Sequence, residues 1–511
     1  MKRRSARIDP ARRRLLRFAA AGVGGIALTP LLYRLLSGPV RGEDFPEWAA
    51  SRYGPLSPAT DRTTGLPLLK LPPGFSYFSA GWSGDPMHDG HPTPNRHDGM
   101  GVVRATADGT ITLIRNHERG AISADAALAS RRGSALPVYD AAVVADGMAA
   151  GGGTTALQFR QGKLIDARAT LGGTLVNCSG GATGYGSWLS CEEIIARGSL
   201  AGARDHGYVF EVPTPELGPA SARPIVAMGL MRHEAAARDP ATGIVYLTED
   251  NGADSGFYRF LPDDRAARIG ALEAGGRLEM LKVVGRDNAD LTEPEMGASF
   301  AVEWVPIPEP DADPERLACP GPGLPDCLGA GRSGPFLQGA ERGGARFRNC
   351  EGCFHHRGVT YLVDTSGGPG RCGVVWAYLD AAEAGGNQGR LTAIFVSPAE
   401  VVADKPDNLT LSPWGELLLC ENGGGRRHRG ELVFGTRLLG LNPVDGAFPL
   451  VENNVSIAAP MPERPWIAPG DYRRFEFAGV CCDPGGRWLF VNLQTPGITF
   501  AITGPWTRPP V

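Results

Sequence analysis

The sequence predicts an all-β fold, a six-bladed β-propeller, on two repeated motifs and a turn-rich composition. In the first motif a Gly-bearing turn leads into an apolar strand that ends in acidic or polar residues, and the motif occurs six times. The copies run Asp108-Gly109 to Asn116-His117-Glu118, Tyr185-Gly186 to Cys191-Glu192-Glu193, and Thr242-Gly243 to Thr248-Glu249-Asp250. They continue with Arg357-Gly358 to Asp364-Thr365-Ser366, Trp414-Gly415 to Cys420-Glu421-Asn422, and Gly485-Gly486 to Asn492-Leu493-Gln494. Between turn and polar end stand runs such as Ile244-Val245-Tyr246-Leu247, whose β-branched and aromatic side chains suit a pleated, half-buried surface. A supersecondary unit repeated in this way is one blade of a propeller.

The second motif precedes each of these strands by one hairpin: Asp98-Gly99-Met100, Asn177-Cys178-Ser179-Gly180-Gly181, His233-Glu234, Glu351-Gly352, Asp407-Asn408 and Glu476-Phe477-Ala478-Gly479. From each motif to its strand-end partner is 13 to 18 residues, enough for two strands and a connection. Inner strands line the channel of a propeller, so polar residues at matching strand ends converge on one mouth. The third observation is composition. With 71 Gly and 43 Pro in 511 residues the chain is rich in turns, and 42% hydrophobic residues supply a large core.

Charge excludes one class of partner. Residues 1–41 hold ten Lys/Arg and one acidic residue, a balance of +9 against −4 for the chain, so the remainder carries −13. That remainder repels nucleic acid and favours cations. The basic start explains the asymmetry: Arg12-Arg13-Arg14-Leu15-Leu16-Arg17 precedes Phe18 to Tyr33, a weakly hydrophobic stretch with Gly22, Gly24 and Gly25. This resembles a twin-arginine export signal, which carries folded proteins to the periplasm or beyond. No clean Ala-x-Ala site follows, which leaves open an uncleaved anchor; at sixteen residues the stretch is short of the roughly 20 of a stable span. The expected layout is 1–41 signal, 42–80 linker and approach to the first blade, and 81–511 propeller, with 303–348 as a Pro/Gly-rich excursion that partly covers one face.

Among ten cysteines, Cys319 and Cys327 are placed to close a small disulfide loop after export. Cys350-Glu351-Gly352-Cys353 is half of a zinc pattern without a second half. Cys191, Cys420, Cys481 and Cys482 read as packing residues. Cys178 differs, because the glycines after it let the backbone approach a ligand.

The residues gathered at the mouth are Asp98, Glu118, Glu192, Glu193, Glu234, Glu249, Asp250, Glu351, Asp364, Asp407, Glu421 and Glu476. Carboxylates crowded in this way repel one another unless cations neutralise them. Many hard oxygen donors favour Ca²⁺, and a thiolate among them argues for a softer or redox-capable ion alongside. Such a cluster holds an anionic substrate and activates an oxygen nucleophile, chemistry that suits phosphate esters.

These strings, together with Gly151-Gly152-Gly153-Thr154-Thr155, Trp188-Leu189-Ser190-Cys191, Arg232-His233-Glu234-Ala235-Ala236 and Phe490-Val491-Asn492-Leu493-Gln494, resemble the PhoX-type alkaline phosphatases over nearly the whole chain. The resemblance implies a six-bladed propeller that binds Fe³⁺ and Ca²⁺ and hydrolyses phosphomonoesters outside the cytoplasm. By that likeness Cys178 is the iron-ligating thiolate, and Glu118, Glu193, Glu234, Glu249, Glu351, Asp407 and Glu421 are the main carboxylate ligands. Asp250 and Glu476, from the same motifs, complete the candidate set. The family pattern places a phosphate-contacting arginine two residues before the Glu-Gly pair. Here Asn349 stands there and Arg348 one residue further back, so a strand would turn Arg348 to the other face unless a bulge re-aims it. Arg348 and Arg232 are therefore the two candidate anion clamps. Two other readings stay open on the residues alone: a calcium-dependent propeller esterase or lactonase, and a non-catalytic propeller that binds a metal or a partner.

Overall fold

The computed structural model describes residues 51–128, 135–144, 146–198, 203–314, 331–380, 387–442 and 446–507. The twin-arginine stretch and the Cys319–Cys327 pair lie outside these residues. Six inner strands, His97–Ala105, Asn177–Ala182, His233–Arg238, Cys350–His356, Pro406–Leu411 and Phe477–Cys482, stand side by side in a closed ring, and the last packs against the first. They open blades 1 to 6. Each pairs antiparallel with the strand that follows it: Thr110–His117, Ser187–Glu192, Val245–Glu249, Val359–Asp364, Leu417–Glu421 and Leu489–Leu493. Further strands extend each blade outward. At the rim Ser299–Ile307 pairs with Gln388–Val396, which joins blades 3 and 4 into one nine-stranded sheet.

The apolar faces of adjacent blades meet in layers, as sheet stacking requires. Ile114, Leu171, Trp188 and Phe210 fill the junction of blades 1 and 2, and Leu189, Leu247 and Tyr258 that of blades 2 and 3. Ala235, Trp304, Leu362 and Trp376 join blades 3 and 4, and Tyr361, Val363, Leu409 and Leu419 join blades 4 and 5. Leu418, Leu438, Phe477 and Leu489 join blades 5 and 6; Leu113, Phe159, Trp488 and Phe490 close the ring. The inner strands approach so closely that a Cβ on Gly181 would lie 1.7 Å from the Ala236 carbonyl oxygen.

Three regions differ from the sequence reading. Within the expected 42–80 linker, Ser57–Ala59 and Leu69–Leu71 add to the edge of blade 5. Ser76–Ala80 pairs with Ile498–Thr503 and completes blade 6. The ring is closed by the two ends of the chain, a long-range pairing that local pattern does not reveal. Of the described residues in 303–348, those to Ile307 belong to the strand Ser299–Ile307, the Gly331 carbonyl accepts from Asn251, and the helix Gly334–Glu341 packs on the outer strands of blade 3. Cys350 and Cys353 are buried among the apolar residues between blades 3 and 4, which gives them a packing role.

Candidate metal centre

The site is built by one local device repeated around the ring. In every blade the inner strand carries a bulge, between His97 and Met100, Asn177 and Gly180, His233 and Ala236, Cys350 and Cys353, Pro406 and Leu409, and Ala478 and Cys481. A bulge sets two residues against one and re-aims a side chain. Just outside the bulge a backbone amide bond ties the two strand ends together. Glu118 donates to the carbonyl of Arg96, Glu193 to Val176, Asp250 to Arg232, Thr365 to Asn349, Asn422 to Lys405 and Gln494 to Glu476, all at 2.9–3.1 Å.

Two residue positions per blade are thereby turned to the mouth. One is the first bulged residue: Asp98, Cys178, Glu234, Glu351 and Asp407. The other is the residue after the second strand: Glu118, Glu193, Asp250, Thr365, Asn422 and Gln494. Blade 6 departs from the scheme. Phe477 pairs with Leu493 where His97 pairs with His117, but Ala478 then pairs with Asn492, so the bulge falls one residue later and carries no acid, while the acid Glu476 takes the place of Arg96.

The result is three groups whose ligand atoms lie within 4.8 Å of one another: Cys178 with Glu193 and Glu234, Asp98 with Glu118 and Glu476, and Glu234 with Glu351 and Asp407. Glu234 belongs to two of them. The thiol of Cys178 faces the carboxyls of Glu193 and Glu234 as a weak donor. Asp250 hydrogen-bonds to Glu193 and accepts from Asn349 Nδ2 at 2.7 Å. Gln494 Nε2 bridges Glu118 and Glu476 at 2.7 and 2.6 Å. Asp407 accepts from Asn408 and Asn422 at 2.8 and 2.9 Å.

So many buried and half-buried acids raise the proton affinity of one another. Burial, with the neighbouring carboxylates adding to it, pushes Asp98, Glu193, Glu234, Glu351 and Glu476 well above the usual carboxylate range. Burial lifts Glu118 to about 7 and Asp407 to about 6, with Arg96 and the two asparagines respectively restraining the rise. Burial and the surrounding acids push the Cys178 thiol up as well. Both carboxylate oxygens of Glu234 are buried, and beyond that thiol no donor among the described residues satisfies them. Buried acceptors left in this state are a strong requirement for something cationic. The residues present fit metal ions: one set contains sulfur and two are all oxygen.

The structure corrects two candidate ligands. Glu249 and Glu421 end their strands one residue short of the mouth position, so their side chains turn the other way. Glu249 bonds to the Tyr258 hydroxyl, and Glu421 is held by Arg437 and the Asp404 amide. Glu192 and Asp364 share that position: Glu192 accepts from Leu175, Gly207 and Tyr208 amides and from His206, and Asp364 accepts from the Arg348 amide. These carboxylates anchor loops. Conversely, Asp98 belongs to the centre although the ligand set drawn from the resemblance omits it; its place at the head of the second motif, equivalent to Cys178 and Glu234, is the signal.

The candidate clamps also separate. The Arg348 amide donates to Asp364 and its charge acts on the same carboxylate, which belongs to none of the three groups. Arg232 holds the position that precedes an inner strand, bonds to Asn251 and acts on Asp250 and Glu249. Arg96 holds the equivalent position in blade 1, donates to Gln494 at 2.7 Å and acts on Glu118 and Glu476. Sequence reasoning missed Arg96 because it lies outside both motifs.

A family model described as alkaline phosphatase PhoX matches residues 51–170 and 163–497. Among solved structures, Pseudomonas fluorescens PhoX in complex with vanadate, a transition state analogue, is similar with a TM-score of 0.57 at 14% identity, over 88% of this chain and 97% of that one. A gluconolactonase from Xanthomonas campestris matches at a TM-score of 0.34 and 13% identity, over 88% of this chain and 98% of that one. No curated protein gives a significant sequence match. Among the described residues no helix is long and apolar enough to cross a membrane.

Proposed function

We propose, for a chain that belongs to the PhoX alkaline phosphatase family, that it hydrolyses phosphomonoesters outside the cytoplasm at a mouth that holds iron and calcium. The observation that carries this reading is the convergence of Cys178 and seven carboxylates into three groups, two of which share Glu234. Cys178, Glu193 and Glu234 form the set suited to iron, since only there does a soft donor stand. Asp98, Glu118 and Glu476, and Glu234, Glu351 and Asp407, offer the oxygen donors calcium prefers. When bound, such ions supply a nucleophilic oxygen at neutral pH and neutralise charge on the phosphoryl group.

The chain's own residues do the rest. Arg232, oriented by Asn251, offers its guanidinium to a phosphate oxygen, and a planar fork suits that geometry. Gln494 fixes the spacing of Glu118 and Glu476, and Asn408 and Asn422 fix Asp407. Asn349 restrains Asp250 beside Glu193. The twin-arginine stretch supports export by the machinery that carries folded, metal-loaded proteins, with membrane contact only through that segment.

The test is metal analysis of protein exported by its native route, joined to phosphate release with and without calcium from neutral to alkaline pH. Iron and calcium together, with release from aryl and alkyl monoesters, support the reading. Metal-replete protein that releases no phosphate from any of them refutes it.

A further inference from the structure

A cleft of about 430 Å³ adjoins the mouth between blades 6 and 1. Its lining includes Asn95, Arg119 and Thr495, the chain neighbours of Arg96, Glu118 and Gln494, so the cleft opens beside the Asp98–Glu118–Glu476 group. Its far wall carries Trp466, an indole left 49% exposed.

The wall is fixed in place. Arg464 grips Asp85 through two hydrogen bonds of 2.8 and 2.9 Å and lies over the Trp82 ring at 4.9 Å. The Tyr472 hydroxyl donates to the Ala468 carbonyl at 2.7 Å. Between these anchors the indole lies against Gly84, where a Cβ would come within 2.4 Å of the ring; only glycine permits the approach. A bulky indole thus has its back on the backbone while its other surface stays solvent-accessible.

Arg119 supplies the polar element. Among the described residues its Nε is buried without a hydrogen-bond partner, its Nη2 meets the Ala126 carbonyl at 3.3 Å, and no carboxylate pairs with it. Small-molecule sites combine this size, about 300–1,000 Å³, with apolar walls and a few convergent polar groups. An aromatic platform with one unsatisfied donor selects a planar ring that bears an acceptor.

Resting on the phosphomonoesterase reading, we infer that this cleft receives the alcohol portion of the substrate, and that the preferred substrates are phosphate esters of planar, acceptor-bearing alcohols of nucleoside type. The phosphoryl group then lies at the carboxylate mouth and the ring on Trp466. Affinity for the ring comes from stacking and from the Arg119 hydrogen bond, and neither depends on the phosphate.

The experiment compares adenosine monophosphate with glycerol phosphate on metal-loaded protein, and follows binding of adenosine by calorimetry and tryptophan fluorescence. Wild type should bind adenosine saturably, Trp466→Ala should abolish that binding, and Trp466→Phe should retain part of it. The ratio of kcat/KM for adenosine monophosphate over glycerol phosphate should fall at least fivefold in Trp466→Ala and in Arg119→Ala. A smaller fall in the ratio, or no saturable adenosine binding by wild type, overturns the inference. If adenosine binds through Trp466 while neither ester is hydrolysed, the cleft stands and the phosphomonoesterase reading fails.

Discussion

Arg437 grips both carboxylate oxygens of Glu421, at 2.6 and 2.8 Å, in a pair that is almost wholly buried. Breaking one side of a buried pair leaves an uncompensated charge, which costs about 3–5 kcal/mol. Glu421→Ala should therefore lower the unfolding free energy by about that amount, read by denaturant titration. The metal content of the folded fraction should be unchanged. Loss of metal without loss of stability would put Glu421 back among the ligands.

Glu234→Gln should behave in the opposite way. Among the described residues neither of its oxygens has a nitrogen or oxygen donor, and it stands in two of the three groups. Removing its charge relieves repulsion from Glu193 and Asp407, so the chelated protein should be at least as stable as wild type. Bound metal should fall by more than one ion per chain, as elemental analysis would show. A loss confined to one ion would mean that Glu234 serves a single group.

The chelated protein should lose stability as pH rises. Glu118 moves from an ordinary 4.5 to about 7 and Asp407 from 3.8 to about 6, chiefly through burial. Folded values above the unfolded ones mean that the native state binds more protons. The associated stability is complete below the unfolded values and is lost as pH climbs through 6 and 7, on the order of 3 kcal/mol per group. The melting temperature of chelated protein should fall from pH 4.5 to 8, and calcium should flatten or reverse the trend. A melting temperature that rises over this range without metal would contradict the assignment.

Cys178→Ser should separate the metals. A hydroxyl is a poor substitute for a thiolate toward iron, while the two oxygen-only groups are untouched. Iron should drop out with its visible absorption, calcium should remain, and kcat should fall at least 100-fold. Unchanged iron content in the serine variant would remove Cys178 from the centre.

The two arginines should differ in kinetics. Arg232→Ala should raise KM for phosphomonoesters about tenfold, in keeping with loss of one charge-assisted contact. Arg348→Ala should leave KM within threefold and lower thermal stability, because its charge serves buried Asp364. The reverse result would mean that Arg348 reaches the mouth.

Much of the candidate centre was legible because strand-end chemistry repeats. Asp98, Cys178, Glu234, Glu351 and Asp407 each stand in a second motif, and Glu118, Glu193 and Asp250 each end a first one, so their convergence follows from the propeller itself. What pattern could not separate was neighbouring polar residues at one strand end. Glu192 and Glu193, Glu249 and Asp250, and Glu421 and Asn422 are adjacent pairs, and side-chain direction alternates with period two. The outcome at each pair depends on where the strand stops and where the bulge falls.

The sequence by itself determined the strands, their sixfold repetition and the acidic character of one mouth, because hydrophobic period, turn residues and charge are local properties. Only the tertiary structure decided three further matters. Blade 6 is closed by Ser76–Ala80, more than 400 residues from its partner Ile498–Thr503, since loop closure over such a span leaves no local trace. Glu249 and Glu421 are anchors, since partners such as Tyr258 and Arg437 come from other strands. Arg96 joins the centre and the charge of Arg348 acts on Asp364, since a guanidinium's neighbours are set by the packing of whole blades and not by the residues beside it in the chain.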